Sequence, residues 1–245
     1  MPLLEVQGAT KRYGALTVVD DLTMHVEPGE ALGVVGPNGA GKTTALSLIA
    51  GDVPLTSGRV RFDGQDITRL PAHARCRAGI GRTFQVPATF EDMTVLDNVM
   101  VGAFLRHAHR GDARAAALRV LEMTGLGSQT SQRARSLGTP GRKRLEIARV
   151  LATGPRMMLL DEALAGLTPA ELQQAIALVR RIHELGITLV IVEHIMEVIM
   201  TLAQRVLVFN QGHVIAEGKP QDIVANEAVI EAYLGRGHRK RRAAP

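Results

Sequence analysis

Residues 36–44 read Gly36-Pro37-Asn38-Gly39-Ala40-Gly41-Lys42-Thr43-Thr44, and the first eight follow the spacing G-x-x-x-x-G-K-T. The chemistry of that spacing is capture of a polyphosphate. The glycines let successive backbone N–H groups turn toward one anion, and the helix start that follows adds positive potential. In this scheme Lys42 reaches the β- and γ-phosphates, and the Thr43 hydroxyl is a ligand of Mg²⁺. The flanks suit it. Ala31 to Val35 is an apolar run of strand character, and Thr43 to Ala50 is a helical run that stops at Gly51. Average composition gives the pattern by chance in roughly one in a hundred chains of this length, and the flanks lower that further.

Four further places could complete such a site. Met157 to Leu160 is apolar and ends in Asp161-Glu162. A strand end beside a phosphate loop can set Asp161 near Mg²⁺ through water and let Glu162 orient and polarise an attacking water. Ile191-Val192-Glu193-His194 repeats the design, a buried strand ending in polar residues, with His194 positioned to sense the γ-phosphate. Gln85 closes the strand-like Arg82-Thr83-Phe84-Gln85, where it can join Mg²⁺ or the water to whatever lies beyond. Tyr13, in the turn Lys11-Arg12-Tyr13-Gly14, offers a ring for stacking on adenine. Alone, an acidic pair, a loop histidine, a glutamine or a tyrosine is ordinary surface or core. Behind a phosphate loop the set predicts nucleotide hydrolysis.

Positioning these residues takes an α/β fold. The first 30 residues alternate as strands, Leu3 to Gln7 and Leu22 to Val26, with a turn at Pro28-Gly29. Arg59 to Phe62 enters a hairpin at Asp63-Gly64. The middle turns helical. Thr94 caps a helix carrying Leu96, Val99, Met100 and Ala103, a second helix spans Asp112 to Thr124, and a third spans Gly141 to Thr153 before Gly154-Pro155. Then strands and helices alternate. After Met157–Leu160, Thr168-Pro169-Ala170-Glu171 caps a helix with the stripe Leu172, Ile176, Val179 and Ile182, and strands follow at Ile187 to Val192 and Arg205 to Phe209. The expected organisation is one domain over residues 1–235. Its core is 1–85 and 154–235, with a helical insertion at 86–153 and a basic tail at 236–245.

Composition narrows the function classes. With 46% hydrophobic residues, the 245-residue chain can bury a sizeable core. The lone Cys76 forms no internal disulfide and excludes a cysteine zinc cluster. No signal peptide is evident, and apolar runs such as Leu185 to Val192 are too short to span a bilayer. The net charge of +5 is matched by Arg236, Arg239, Lys240, Arg241 and Arg242, which leaves the body near neutral. Aromatic residues are 3% of the chain, so base stacking has little to work with and no nucleic-acid partner is expected. The tail reads as solvated and disordered.

Taken in order, Tyr13, the phosphate loop, Gln85, a signature helix, Asp161-Glu162 and His194 resemble an ABC-type ATP-binding subunit over about residues 3 to 235. Within that family the segments GRTFQ, MTVLDNVMVG, LEIARVLAT, AGLTPAE, VEHIMEVIM and VFNQGHVIAEGKPQDI are most similar to ATPases of branched-chain (hydrophobic) amino-acid importers. Relatives that serve urea, amide or aromatic substrates, and those of lipopolysaccharide export, look similar too. The resemblance implies a P-loop NTPase (RecA-like) core with an N-terminal antiparallel β subdomain and an inserted helical subdomain. It also implies ATP and Mg²⁺ as ligands and a location on the inner face of the cell membrane. Two such subunits would sandwich two ATP molecules, each between one P-loop and the other subunit's signature. Closure would drive a permease through the groove beside Gln85, with an extracytoplasmic binding protein delivering substrate.

The chain departs from the family where the signature Leu-Ser-Gly-Gly-Gln belongs. Counting back from LEIAR places Leu137-Gly138-Thr139-Pro140-Gly141 there. Gly138 lacks the hydroxyl that would donate to a γ-phosphate, and Pro140 has no N–H. One hydrogen bond to a charged group contributes about 1.5–3 kcal/mol, so its loss weakens ATP-driven closure roughly ten- to hundredfold. Thr139 offers a substitute hydroxyl. The departure favours pairing with a different ATPase subunit that carries an intact signature. Ala163 and Thr168 also replace residues common in relatives, Pro in one case and Asp or Asn in the other. The alternatives to a transport ATPase are a weakly hydrolysing, ATP-gated partner subunit and a soluble ABC ATPase outside transport. The latter usually carries paired units or long coiled coils, and this chain has one P-loop and no sustained heptads.

Overall fold

The computed structural model describes residues 1–234; the basic tail lies outside the described residues. They form two compact units, one made of Met1–Pro71 and the chain from Val190 onward, the other of Ala72–Leu189.

The first unit opens with β1 (Leu4–Tyr13) and β2 (Leu16–Val26), then β3 (Ala31–Val35), α1 (Lys42–Ala50), β4 (Ser57–Phe62) and β5 (Gln65–Asp66). Both opening strands run far past the expected Leu3–Gln7 and Leu22–Val26, because they form one long hairpin in which Tyr13 faces Leu16. Gly14, at φ 59° in the first central position, gives the tight turn a positive-φ residue. At the second hairpin Asp63 and Gly64 both have positive φ (52° and 74°), the combination of a type I′ turn. These strands form an antiparallel sheet in the order β2-β1-β4-β5. β3 is buried along its whole length, as a near-continuous apolar strand in a parallel sheet must be.

The second unit holds α2 (Ala72–Ala78), β6 (Ile80–Arg82), α3 (Val95–Ala103), α4 (Arg110–Met123), α5 (Thr139–Ala152), β7 (Met157–Asp161) and α6 (Pro169–Glu184). Thr94 caps α3 by accepting from the Asp97 N–H at 3.0 Å. Thr168 and Glu171 form a full capping box on α6. Helices α3, α4 and α5 share a core that includes Val99, Met100, Ala117, Leu121, Leu145 and Ala148. Gly102 lets α3 approach α5, since a Cβ there would lie 2.3 Å from the Arg149 carbonyl oxygen. α5 begins at Thr139, two residues before the expected Gly141. Pro140 therefore sits within the first helical turn, where no intrahelical N–H bond is required of it.

β8 (Thr188–Val192) is divided between the units, and the first unit continues with α7 (Met196–Leu202), β9 (Arg205–Asn210), β10 (His213–Gly218), α8 (Pro220–Val224) and α9 (Glu227–Leu234). Strand order is β10-β9-β3-β8 in the first unit and β8-β7-β6 in the second. β3 pairs β9 in parallel, as β6 pairs β7, and β10 is an antiparallel edge strand. Among the described residues no helix is long and apolar enough to cross a membrane.

Candidate functional site

In the first unit the phosphate loop joins the buried β3 to α1. Its shape depends on two glycines. A Cβ on Gly36 would lie 2.1 Å from the Phe209 carbonyl oxygen, and one on Gly41 would lie 2.5 Å from that of Val18. Gly41 is also at φ 104°, a conformation that side chains resist. Ala40 is buried and donates its N–H to the Pro37 carbonyl, while Gly212 donates to the Ala40 carbonyl at 2.9 Å. No side chain caps α1, an arrangement that anions exploit at helix starts. Lys42 is buried, and its ammonium donates to the carbonyls of Gly36 (2.7 Å) and Pro37 (3.0 Å), which hold it across the loop. Gly51, at φ 81°, ends the helix and donates to the Ser47 carbonyl.

The same unit carries Tyr13 and His194. Tyr13 is the last residue of β1 rather than part of a turn. Its ring is half-exposed, with the Lys11 ammonium 4.8 Å from its centroid. β8 ends at Val192, so Glu193 and His194 lie beyond the strand, with Glu193 buried and His194 exposed. Tyr233, on α9, was not anticipated. Burial pushes its phenol up, and a hydrogen bond accepted from the Gly36 backbone offsets part of that rise.

The second unit brings Gln85, Asp161 and Glu162 together. β6 stops at Arg82, three residues before Gln85, so the glutamine sits in a loop rather than at a strand end. Its amide donates to Glu162 Oε2 at 2.8 Å. Glu162 directly follows β7 at φ 48°, in the left-handed region that stores strain for a non-glycine residue. Asp161, buried at 1% exposure, makes a 2.9 Å ion pair with Arg82. Its backbone N–H donates to the Thr83 hydroxyl at 3.3 Å. The Arg82 partnership was missed in the sequence, although a charge at the end of an otherwise apolar strand was a visible sign that something acidic lies opposite.

Gly138 is the N-cap of α5 at φ −65°, and Thr139, Pro140 and Gly141 form its first turn, with no side-chain cap. Further along α5, Glu146 is buried at 4% exposure and accepts from the Phe84 N–H at 3.0 Å. Burial pushes its carboxyl above the ordinary range, while hydrogen bonds from the Phe84 and Ala88 backbone and the cations Arg149 and Lys143 pull it down. A pocket of about 280 Å³ opens here, lined by Arg82, Phe84, Ala88, Val101, Leu105, Glu146 and Arg149 among others.

The donor set suits a nucleotide with its metal. The crowded glycines leave room only for main chain around the loop. Among the described residues no group of three acidic, histidine or cysteine side chains is placed to hold a metal ion by itself, and Mg²⁺ that travels with a triphosphate needs only one or two carboxylates.

The comparisons agree with this chemistry. Residues 19–165 match the family described as ABC transporter, and residues 213–239 match that of branched-chain amino acid ATP-binding cassette transporters. The high-affinity branched-chain amino acid transport ATP-binding protein BraF of Pseudomonas aeruginosa is 38% identical, covering 96% of this chain and 98% of that protein. LivG, the corresponding Escherichia coli protein, is 36% identical at the same coverages. The E. coli lipopolysaccharide export ATP-binding protein LptB is 34% identical, covering 98% and 100%. Among solved structures, the ADP conformation of an ATP-binding cassette of an ABC transporter has a TM-score of 0.87 at 28% identity, covering 96% of this chain and 99% of that one.

Proposed function

Because the chain belongs to the ABC transporter family, whose members hydrolyse ATP, we propose that it powers an importer of branched-chain or other hydrophobic amino acids, or of related small amides. The family is settled by the match over residues 19–165. The substrate class rests on the match of residues 213–239 and on the likeness to BraF and LivG, and the likeness to LptB makes export the competing direction.

In this reading the backbone amides of residues 39–44 and the Lys42 ammonium bind the phosphates, and the Tyr13 ring stacks on adenine. Thr43, Asp161 and Gln85 hold Mg²⁺, whose charge offsets that developing on the phosphoryl oxygens. Glu162 orients and polarises the attacking water, and His194 contacts the γ-phosphate. A permease seats in the groove beside Gln85, on the inner face of the membrane, and a substrate-binding protein acts on its far side. The observation that carries the hydrolytic role is the 2.8 Å bond from Gln85 to Glu162, which ties the candidate base to the loop next to that groove.

A second reading is favoured by one observation, the α5 start with Gly138 as N-cap and Pro140 in the first turn. It makes this chain one half of a heterodimer, with its own P-loop completed by a partner's intact signature. Glu162→Gln separates catalysis from binding. Turnover should fall about 10²–10⁴-fold while ATP stays bound and the dimer is trapped. If Glu162→Gln hydrolyses at the wild-type rate, the assigned base is wrong.

A further inference from the structure

We propose that Lys143, Glu146 and Arg149 on α5 are positioning residues for hydrolysis, a row that ties the loop carrying Gln85 to the loop carrying Glu162. The inference rests on the ATPase reading above and extends it to how the groove controls the base. Successive members stand three residues apart, the spacing of side-chain neighbours on a helix. Lys143 is buried and donates to the Ala163 carbonyl at 3.1 Å and the Glu162 carbonyl at 3.4 Å. It thus holds the main chain on the far side of a left-handed residue. Glu146 accepts the Phe84 N–H at 3.0 Å and the Ala88 N–H, so one carboxylate brackets Gln85 on both sides. Arg149 donates to the Ala88 carbonyl and lies 4.4 Å from the centroid of the Phe90 ring.

The Gln85–Glu162 bond at 2.8 Å closes the circuit. It runs from α5 through the Gln85 loop to the Glu162 side chain, then by the Glu162 main chain and Lys143 back to α5. Two of the three helix residues, Glu146 and Arg149, also line the pocket beside the loop. An occupant of that pocket touches the residues that hold Gln85 before it touches Gln85 itself.

A structural role alone does not account for Glu146. A buried carboxylate is expensive to desolvate, and an apolar side chain of like size often packs at least as well. Burial has pushed this carboxyl above its ordinary range, so its charge is held at a loss of stability. What the carboxylate supplies, and an apolar residue lacks, is acceptors for two amides of one loop.

The test is Glu146→Gln in the full chain, alone and combined with Gln85→Ala. It is read by calorimetric MgATP affinity, amide exchange at Phe84 and Ala88, and ATP turnover. Affinity should stay within about twofold, because the P-loop is untouched, while exchange at the two amides rises about tenfold. Turnover should fall about ten- to hundredfold with KM unchanged, and it should fall no further in the Gln85→Ala background. Glu146→Asp, which restores the charge, should recover part of the loss. Lys143→Met is the second variant. It should slow turnover and leave exchange at Phe84 unaltered. Unchanged exchange in Glu146→Gln, an undiminished loss in the Gln85→Ala background, or wild-type turnover in Lys143→Met overturns the proposal. Failure of the wild-type chain to bind MgATP would instead overturn the ATPase reading.

Discussion

The chain contains two glycine-headed helix starts that the family reading assigns to phosphate, and they are built differently. At α1 the N-cap Gly41 is at φ 104°, and the first turn supplies Lys42, Thr43 and Thr44. At α5 the N-cap Gly138 is at φ −65°, and the first turn supplies Thr139, Pro140 and Gly141. Neither is capped by a side chain, so both present a helix dipole to an anion. The dipole is common to both, and they differ in donors. α1 adds a cation, two hydroxyls and an unbroken run of amides, whereas α5 adds one hydroxyl and interrupts its amides with a proline. On the family reading, one local architecture makes a full phosphate site at α1 and a partial one at α5, and glycine does different work in each.

Alanine at the two caps breaks or confirms the comparison most sharply. At Gly41 a Cβ meets the Val18 carbonyl oxygen at 2.5 Å in a positive-φ residue, whereas at Gly138 it would lie 3.8 Å from Pro140 Cδ. Gly41→Ala should weaken ATP binding about a hundred- to thousandfold by calorimetry. Gly138→Ala should change unfolding free energy by no more than about 0.5 kcal/mol in urea titrations. Equal effects at the two sites would show that the caps are equivalent after all. Next in size is repair of the weaker start. Gly138→Ser with Pro140→Gly should raise ATP-driven dimer closure about ten- to hundredfold, read by light scattering with Glu162→Gln in the same chain. Thr139→Val then asks whether its hydroxyl substitutes for the missing serine, and closure should weaken about two- to tenfold.

The smallest effect is one of pH, and it concerns the body of α5. Glu146 has a folded-state pKa above its unfolded value, because burial outweighs the Phe84 and Ala88 amides and the Arg149 and Lys143 cations. Arg82 and Cys76 face the same pocket. The folded state therefore holds this proton more tightly. The contribution favours folding below the unfolded pKa of 4.5 and is lost as pH rises through the folded value. Thermal unfolding of Glu146→Gln and wild type, compared from pH 4.5 to 7, should show the variant gaining relative to wild type as pH rises. A difference that is flat with pH contradicts the assignment.

Much of the first start was legible in the sequence because its information is local. The spacing of Gly36, Gly41, Lys42 and Thr43, the apolar run before them and the stop at Gly51 lie within 21 residues. The capping box at Thr168 and the Asp63-Gly64 turn were readable for the same reason. What failed was non-local. The β1–β2 hairpin runs past its apolar alternation because cross-strand pairing, across register shifts, still joins polar residues such as Lys11 to Val19 and Arg12 to Thr17. The early start of α5 is a local exception, since Pro140 is accepted within the first turn two residues before the expected Gly141. The antiparallel β10 edge, the Arg82–Asp161 pair and the grip of Glu146 on the Gln85 loop join residues far apart in the chain, 79 residues in the case of the ion pair.

The account depends on α1 and its loop holding a triphosphate, and isothermal titration of the full chain with MgATP, beside Lys42→Ala, tests that most directly. The account predicts saturable uptake of one nucleotide per chain in the wild type and its loss in Lys42→Ala. No uptake in the wild type, or equal uptake in both, would contradict it.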